Sequence, residues 1–172
     1  MVNERLPGPE DWSAAAESGR AASEGSPAAV AAPPATPATL SAELLQAVID
    51  AARQDLPNET VGLLIGGVPA SLGGRPERYL RMTNAAASPH RYVIDPAEQL
   101  QVMLGLEEAD ELIWAIVHSH VASAPVPSAT DIGLAFYPDS LYLICSLADD
   151  VPEVRAWTIR DGQPESVPLA VV

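Results

Sequence analysis

The stretch Ile113-Trp114-Ala115-Ile116-Val117-His118-Ser119-His120-Val121-Ala122-Ser123-Ala124-Pro125-Val126-Pro127-Ser128-Ala129-Thr130-Asp131 decides how the chain is read. An apolar run, Ile113 to Val117, leads into two histidines one residue apart. Seven residues follow, then Ser128, two more residues, and Asp131. On a strand, side chains alternate faces, so His118 and His120 share a side, roughly 6–7 Å apart along the backbone. Two imidazoles and one carboxylate are a common catalytic zinc set, three protein ligands with the fourth position left to water. Each piece also has a plainer reading. A His-x-His at a strand end can be simple polar decoration, and Ser128-Ala-Thr-Asp131 fits a helix capping box. Cap and ligand set are compatible, because a cap fixes the helix start that presents Asp131.

The joint spacing resembles the signature of the JAMM (MPN+) metalloprotease family: H-x-H, seven residues, S, two residues, D. The resemblance covers about residues 40–172. It implies an α/β fold, a single JAMM-like (cytidine-deaminase-like) domain with a curved, mostly antiparallel sheet flanked by helices. It implies one zinc ion per chain, held by His118, His120 and Asp131. Zinc lowers the pKa of bound water toward about 7 and polarises a carbonyl. Such domains carry a glutamate on an earlier strand, and Glu59 stands just before the run Val61-Gly-Leu-Leu-Ile-Gly66. By itself Glu59 would read as a surface residue or a cap; the resemblance makes it the general base that takes the water's proton and returns it to the leaving amine. Ser128 would donate a hydrogen bond to the developing oxyanion, while also serving as a cap through its side chain or backbone. Val121 departs from the family pattern, where many relatives have proline; it bears on loop shape rather than on metal binding.

Family members cut isopeptide or peptide bonds after a diglycine tail. Small members resemble processing enzymes for sulfur-carrier proteins of ubiquitin-like fold. Only 41 residues follow Asp131, which leaves little room for the long insertions of deubiquitinating relatives. The expected substrate is therefore a ubiquitin-like or sulfur-carrier protein, whose extended tail suits a narrow cleft and a strand edge. The alternative is a non-catalytic, protein-binding scaffold of the same fold; the presence of Glu59, both histidines, Ser128 and Asp131 argues against it.

Composition sets further bounds. A chain of 172 residues is expected to form one domain with a real core. The net charge of −14 argues against nucleic acid as a partner, since affinity for its backbone comes from Lys and Arg. Acidic charge suits a basic protein partner or solubility. No signal-peptide core stands at the N-terminus and no apolar run approaches about 18 residues, so a cytoplasmic location without membrane contact is expected. The single cysteine, Cys145, lies in an apolar run and reads as a buried small hydrophobe. All nine basic residues are arginine. That pattern reads as genomic composition, or as avoidance of self-conjugation by an enzyme working on isopeptides. Oligomeric state is not encoded in any of these features.

Along the chain, residues 1–38 are rich in Ala, Pro, Ser and Gly and read as a disordered arm, with a short helix possible around Trp12–Glu17 and Trp12 as a docking residue. Residues 39–172 form the metalloprotease domain. Ser41 caps a helix with Leu44, Leu45, Val48, Ile49 and Ala52 on one face. Strands are expected at Val61–Gly67, near Arg78–Met82 and at Tyr92–Ile94. Asp95-Pro96-Ala97-Glu98 starts a second helix, with Leu100, Met103, Leu104 and Leu106 as its core face. After the histidine strand, a short helix runs from Ala129 to about Tyr137. Strands follow at Leu141–Leu147 and Val154–Ile159, and Asp161-Gly162 turns the chain back through Ser166–Val171. Ser119 should face away from the metal. His90 reads as a surface residue, Asn84 as a holder of loop or substrate backbone, Thr130 as part of the capping turn, and Trp114 and Trp157 as packing residues.

Overall fold

The strand run that carries the two histidines lies in the interior of a six-stranded sheet. The computed structural model describes residues 37–172. The elements are β1 (Ala38–Leu40), α1 (Ala42–Gln54), β2 (Val61–Gly66), β3 (Arg78–Met82), α2 (Pro96–Ala109), β4 (Leu112–His120), α3 (Ala129–Gly133), β5 (Leu141–Ser146), β6 (Glu153–Arg160), β7 (Gln163–Val167) and β8 (Leu169–Val171). Strand order in the large sheet is β3-β2-β4-β5-β6-β7. All its pairs are antiparallel except β4–β5. The mixed α/β class and the mostly antiparallel sheet agree with the sequence reading.

Alternation along β4 separates two cores. Trp114, Ala115 and Val117 pack with Leu64, Leu143, Cys145 and the α1 residues Val48 and Ala52. Ile113 and Ile116 pack on the opposite side with Val61, Leu63, Ile65, Met82, Tyr92 and Leu106. The register against β2 shifts between Leu64 and Ile65, which pair with Ala115 and Ile113, so Trp114 is the extra residue of a bulge. Its indole N–H donates to the Gly74 carbonyl at 2.9 Å, which satisfies the one polar atom of a fully buried side chain. The order Ile116, His118, His120 along one face then carries both imidazoles onto the α2 and α3 side of the sheet.

The capping chemistry is as the sequence implies. Ser41 Oγ accepts from the Leu44 amide, and the Asp95 carboxylate accepts from Ala97 and Glu98 with Pro96 in the first turn. Asp161 and Gly162 both have positive φ, 50° and 73°, the conformation a two-residue hairpin turn between right-twisted strands requires. The core face of α2 differs from expectation. Leu106 is buried and Val102 packs beside it, whereas Leu100, Met103 and Leu104 are 57%, 37% and 48% exposed. A helix with leucines on two sides can dock either one; Gln99 bonded to the Tyr137 hydroxyl at 2.8 Å accompanies the Val102–Leu106 side. Residues Tyr92–Ile94 form only a single bridge, Asn84 to Ile94, rather than a strand. Helix α3 ends at Gly133, earlier than expected.

Most of the N-terminal arm, with the helix and docking role considered at Trp12–Glu17, lies outside the described residues. Ala38 belongs to the fold: β1 pairs in parallel with β8, Ala38 opposite Leu169 and Leu40 opposite Val171. Ala38 and Leu40 are both buried. Among the described residues, no helix is long and apolar enough to cross a membrane.

This pairing sets where the domain begins. A chain starting at Pro37 should melt with the full-length protein. A chain starting at Ser41 loses the fully buried Leu40 and should be less stable by about 2–4 kcal/mol, lowering Tm by roughly 10 °C. Thermal melts of the two truncations check this, and equal Tm values would show that β1 contributes nothing.

Candidate active site

Strand β4 and helix α3 bring three ligand-type side chains to one point. His118 Nε2 and His120 Nε2 lie 3.2 Å apart. Asp131 Oδ1 is 3.4 Å from His118 Nε2, and Oδ2 is 3.5 Å from His120 Nε2. All three residues are buried. Metal–nitrogen and metal–oxygen bonds of about 2.0–2.1 Å, arranged tetrahedrally, place ligand atoms about 3.3 Å from one another. The observed separations match that spacing, so the donor set fits a divalent ion the size of zinc.

The imidazoles are oriented for this. His120 Nδ1 lies 2.7 Å from the Ala124 carbonyl, which can only accept. The proton therefore sits on Nδ1, and in the neutral ring Nε2 presents its lone pair to the cluster. The His118 ring packs against Tyr92, with ring centroids 4.7 Å apart, and its buried Nδ1 has no hydrogen-bond partner among the described residues. Complete burial pushes His118 toward the neutral form. Burial acts the same way on His120, but Asp131 and the Ala124 carbonyl outweigh it and its pKa is raised. Burial would raise Asp131 too; the facing His118 and His120 rings and the Ser128 bond prevail and hold it well below the usual carboxylate range. A persistent carboxylate beside two buried imidazole nitrogens is a donor set that a cation could occupy.

Helix α3 is short, and its capping box presents Asp131. Asp131 N–H donates to Ser128 Oγ at 3.2 Å, and Ser128 N–H donates to Asp131 Oδ2 at 2.7 Å. The cap uses only an acceptor lone pair of the Ser128 hydroxyl, so its O–H remains free to donate. Ser128 is exposed at the mouth of a cleft of about 310 Å³ that Glu59, His120 and Asp131 also line. Capping and donation toward the cleft are thus open to the same hydroxyl.

Glu59 reaches this cleft through strand register. Val61 pairs with His118, and the strands are antiparallel, so the residue two before Val61 falls beside the His120 end of β4. The side chain is buried. Burial raises its pKa to about 7, partly offset by His120 and reinforced by Asp131. A carboxyl group that changes protonation near neutrality can both accept and return a proton. Ser119, between the two histidines, turns away from the cluster: its Oγ accepts from Thr60 N–H at 2.8 Å.

His90 lines the cleft, exposed, outside the three-ligand cluster. Several contacts were not visible in the sequence. The loop after Val121 is held by three bonds: His120 to Ala124, Ser146 Oγ to the Ser123 carbonyl at 2.7 Å, and the Trp157 indole N–H to the Pro125 carbonyl at 3.0 Å. Trp157, expected only to pack, therefore shapes the segment that leads to Ser128. An indole N–H half-buried on a strand is the one signal that could have suggested a polar partner.

Comparison with known proteins follows the same lines. Residues 41–160 match the family described as prokaryotic homologs of the JAB domain. The chain is 41% identical over 134 residues to the CysO-cysteine peptidase of Mycobacterium tuberculosis, a match covering 77% of this chain and 90% of that protein. It is 34% identical over 127 residues to the desampylase of Haloferax volcanii, covering 70% and 87%. A solution structure of a protein from Desulfitobacterium hafniense is similar with a TM-score of 0.69 at 32% identity, over 78% of this chain and 92% of that one.

The raised pKa of Glu59 has a stability consequence in metal-stripped protein. Its folded value lies above its unfolded one, so the folded state holds the extra proton between about pH 4.5 and 7 and stability falls as pH rises through that window. Relative to wild type, stripped Glu59→Gln should gain stability from pH 4.5 to 8. Denaturant titrations across that range check it; a pH-independent difference would contradict the burial of Glu59.

Proposed function

The chain belongs to the prokaryotic JAB-domain family, of the JAMM/MPN+ type, and is a peptidase of that kind; on that premise we propose that it is a zinc-dependent enzyme cleaving the amide after the C-terminal diglycine of a ubiquitin-like or sulfur-carrier protein. The observation that carries the reading is the convergence of His118 Nε2, His120 Nε2 and the Asp131 carboxylate at 3.2–3.5 Å. His118, His120 and Asp131 would hold one zinc ion per chain. When bound, the ion supplies Lewis acidity toward the carbonyl and lowers the pKa of water toward about 7.

The remaining work falls to side chains of the cleft. Glu59 takes the proton of the attacking water on its carboxylate and delivers it to the departing nitrogen, which cannot leave as an amide anion. Its poise near neutrality suits both transfers. The Ser128 O–H, unused by the helix cap, donates to the carbonyl oxygen as negative charge builds there. His120 Nδ1–H, engaged by the Ala124 carbonyl, keeps the ring from turning away from the cluster. Pro89, His90, Val121, Ala122 and Ser123 bound the cleft in which an extended tail would lie.

The substrate class is supported by the names of the two relatives, a peptidase acting on CysO-cysteine and a desampylase. The higher identity to the former favours a single cysteine as the leaving group over a lysine side chain. A diglycine tail has no side chains to accommodate, which suits a cleft of about 310 Å³.

Two variants separate the roles. Glu59→Gln should lower kcat by about 10²–10⁴-fold, the usual worth of a general base. Ser128→Ala should lower kcat by about 10²–10³-fold with a smaller change in KM, and should weaken the α3 cap by about 1 kcal/mol. Both are read by mass spectrometric release assays on a ubiquitin-like sulfur carrier extended past its diglycine by one cysteine, beside a lysine-linked conjugate of the same carrier. Wild-type turnover of Glu59→Gln would remove Glu59 from the proton-transfer role, and preference for the lysine conjugate would reverse the choice of leaving group.

A further inference from the structure

The backbone of Glu59 lies just outside the β2 ladder, whose first pairs are Val61 with Met82 and Val61 with His118. Glu59 N–H donates instead to the Ser88 carbonyl at 2.9 Å. Its own carbonyl accepts from Asn84 Nδ2 at 2.8 Å. Both bonds therefore lead to one segment, residues 84–93, which also supplies Pro89 and His90 to the cleft and Tyr92 to the face of His118.

Asn84 closes that segment. Its Nδ2 donates to the Arg91 carbonyl at 3.3 Å as well as to Glu59. Its Oδ1 accepts from Ala86 N–H at 3.0 Å and from Val93 N–H at 3.1 Å. A primary amide has two donor hydrogens and two acceptor lone pairs, and all four are engaged. The backbone of Asn84 adds an acceptor for Ala87 N–H at 3.0 Å, where φ is +42°, a left-handed value uncommon for a residue with a Cβ. Such a conformation persists when surrounding bonds over-determine it. No other side chain has this pattern of two donors and two acceptors in so short a reach: Asp loses both donors, and Ser or Ala cannot span the segment.

We propose that Asn84 is a positioning residue for the reaction, acting through Glu59: its amide sets where the Glu59 backbone sits relative to the His120 end of β4 and couples that position to the cleft wall. The inference rests on the reading of Glu59 as the proton carrier. Asn84 makes no hydrogen bond to His118, His120 or Asp131, so its loss should displace the carboxylate while leaving the ligand cluster assembled. Misplacement of a catalytic group by about 1 Å can cost about 10²-fold in rate.

The test uses zinc-loaded full-length protein, the cysteine-extended sulfur carrier as substrate, and five chains: wild type, Asn84→Asp, Asn84→Ala, Glu59→Gln and the Asn84→Asp/Glu59→Gln double variant. Asn84→Asp keeps the acceptors but replaces the donors with a charged oxygen facing the Glu59 and Arg91 carbonyls; Asn84→Ala removes the amide without introducing charge, so an effect common to both variants reports the lost donors. The expected result is zinc content equal to wild type, kcat lowered by about 10²-fold with KM changed far less, and faster amide exchange at Glu59. In the Glu59→Gln background the Asn84 substitution should subtract little more, because residues acting as one unit are not additive. Wild-type kcat in both Asn84 variants, while Glu59→Gln is inactive, would overturn this inference alone. So would an undiminished loss in the Glu59→Gln background, or loss of zinc together with activity. Full activity of Glu59→Gln would instead overturn the underlying assignment of the proton carrier.

Discussion

The antiparallel pairing of β2 with β4 is the constraint on which the site depends. Its register, Val61 opposite His118, puts the end of the histidine strand beside the entry to β2. It brings together two residues far apart in sequence, Glu59 and His120, through the pairing of their neighbours. Ser119 reinforces the junction from between the histidines: its Oγ takes the Thr60 amide and its own N–H donates to the Thr60 carbonyl at 3.2 Å. A one-residue slip would turn both imidazoles to the opposite face. A slip would break the paired Ser119–Thr60 bonds and the bond of the buried Trp114 indole to Gly74, so the contacts that fix the sheet also aim the two imidazoles.

The second half of the site depends on a helix of five residues. It is too short to be stable by itself, and it is held by the reciprocal Ser128–Asp131 cap and by Ile132 packing on the sheet. Asp131 serves twice, as the closing residue of the cap and as the carboxylate of the ligand cluster. The same economy is open to Ser128, whose acceptor holds the helix and whose O–H that bond leaves unused beside the cleft. Fold stability and site geometry are therefore not separable around residues 128–131, although they are separable at Glu59, whose burial opposes the charged state.

What could be seen in the sequence followed from local periodicity. The histidine strand, the capped helix starts at Ser41, Asp95 and Ser128, and the Asp161-Gly162 turn all depend on residues within a few positions of each other. What could not be seen depended on distant partners. The buried face of α2 is not legible locally, because Leu100, Met103 and Leu104 are as apolar as Val102 and Leu106, and only the docked sheet selects between the two sides. Tyr92–Ile94 is strand-like in composition, yet Asn84 takes the Val93 amide that a ladder would use. The bonds of Asn84 to Glu59 and of Trp157 to Pro125 span 25 and 32 residues. Such pairings leave no local signature.

His118, His120 and Asp131 converge as a group that could hold a metal ion. The most direct test of this is zinc content by mass spectrometry on protein purified without added metal, measured beside His120→Ala. About one zinc per wild-type chain is expected, as for a single site with one open position, and none in the variant. A wild-type protein that contains no metal and takes up none on zinc titration would contradict it.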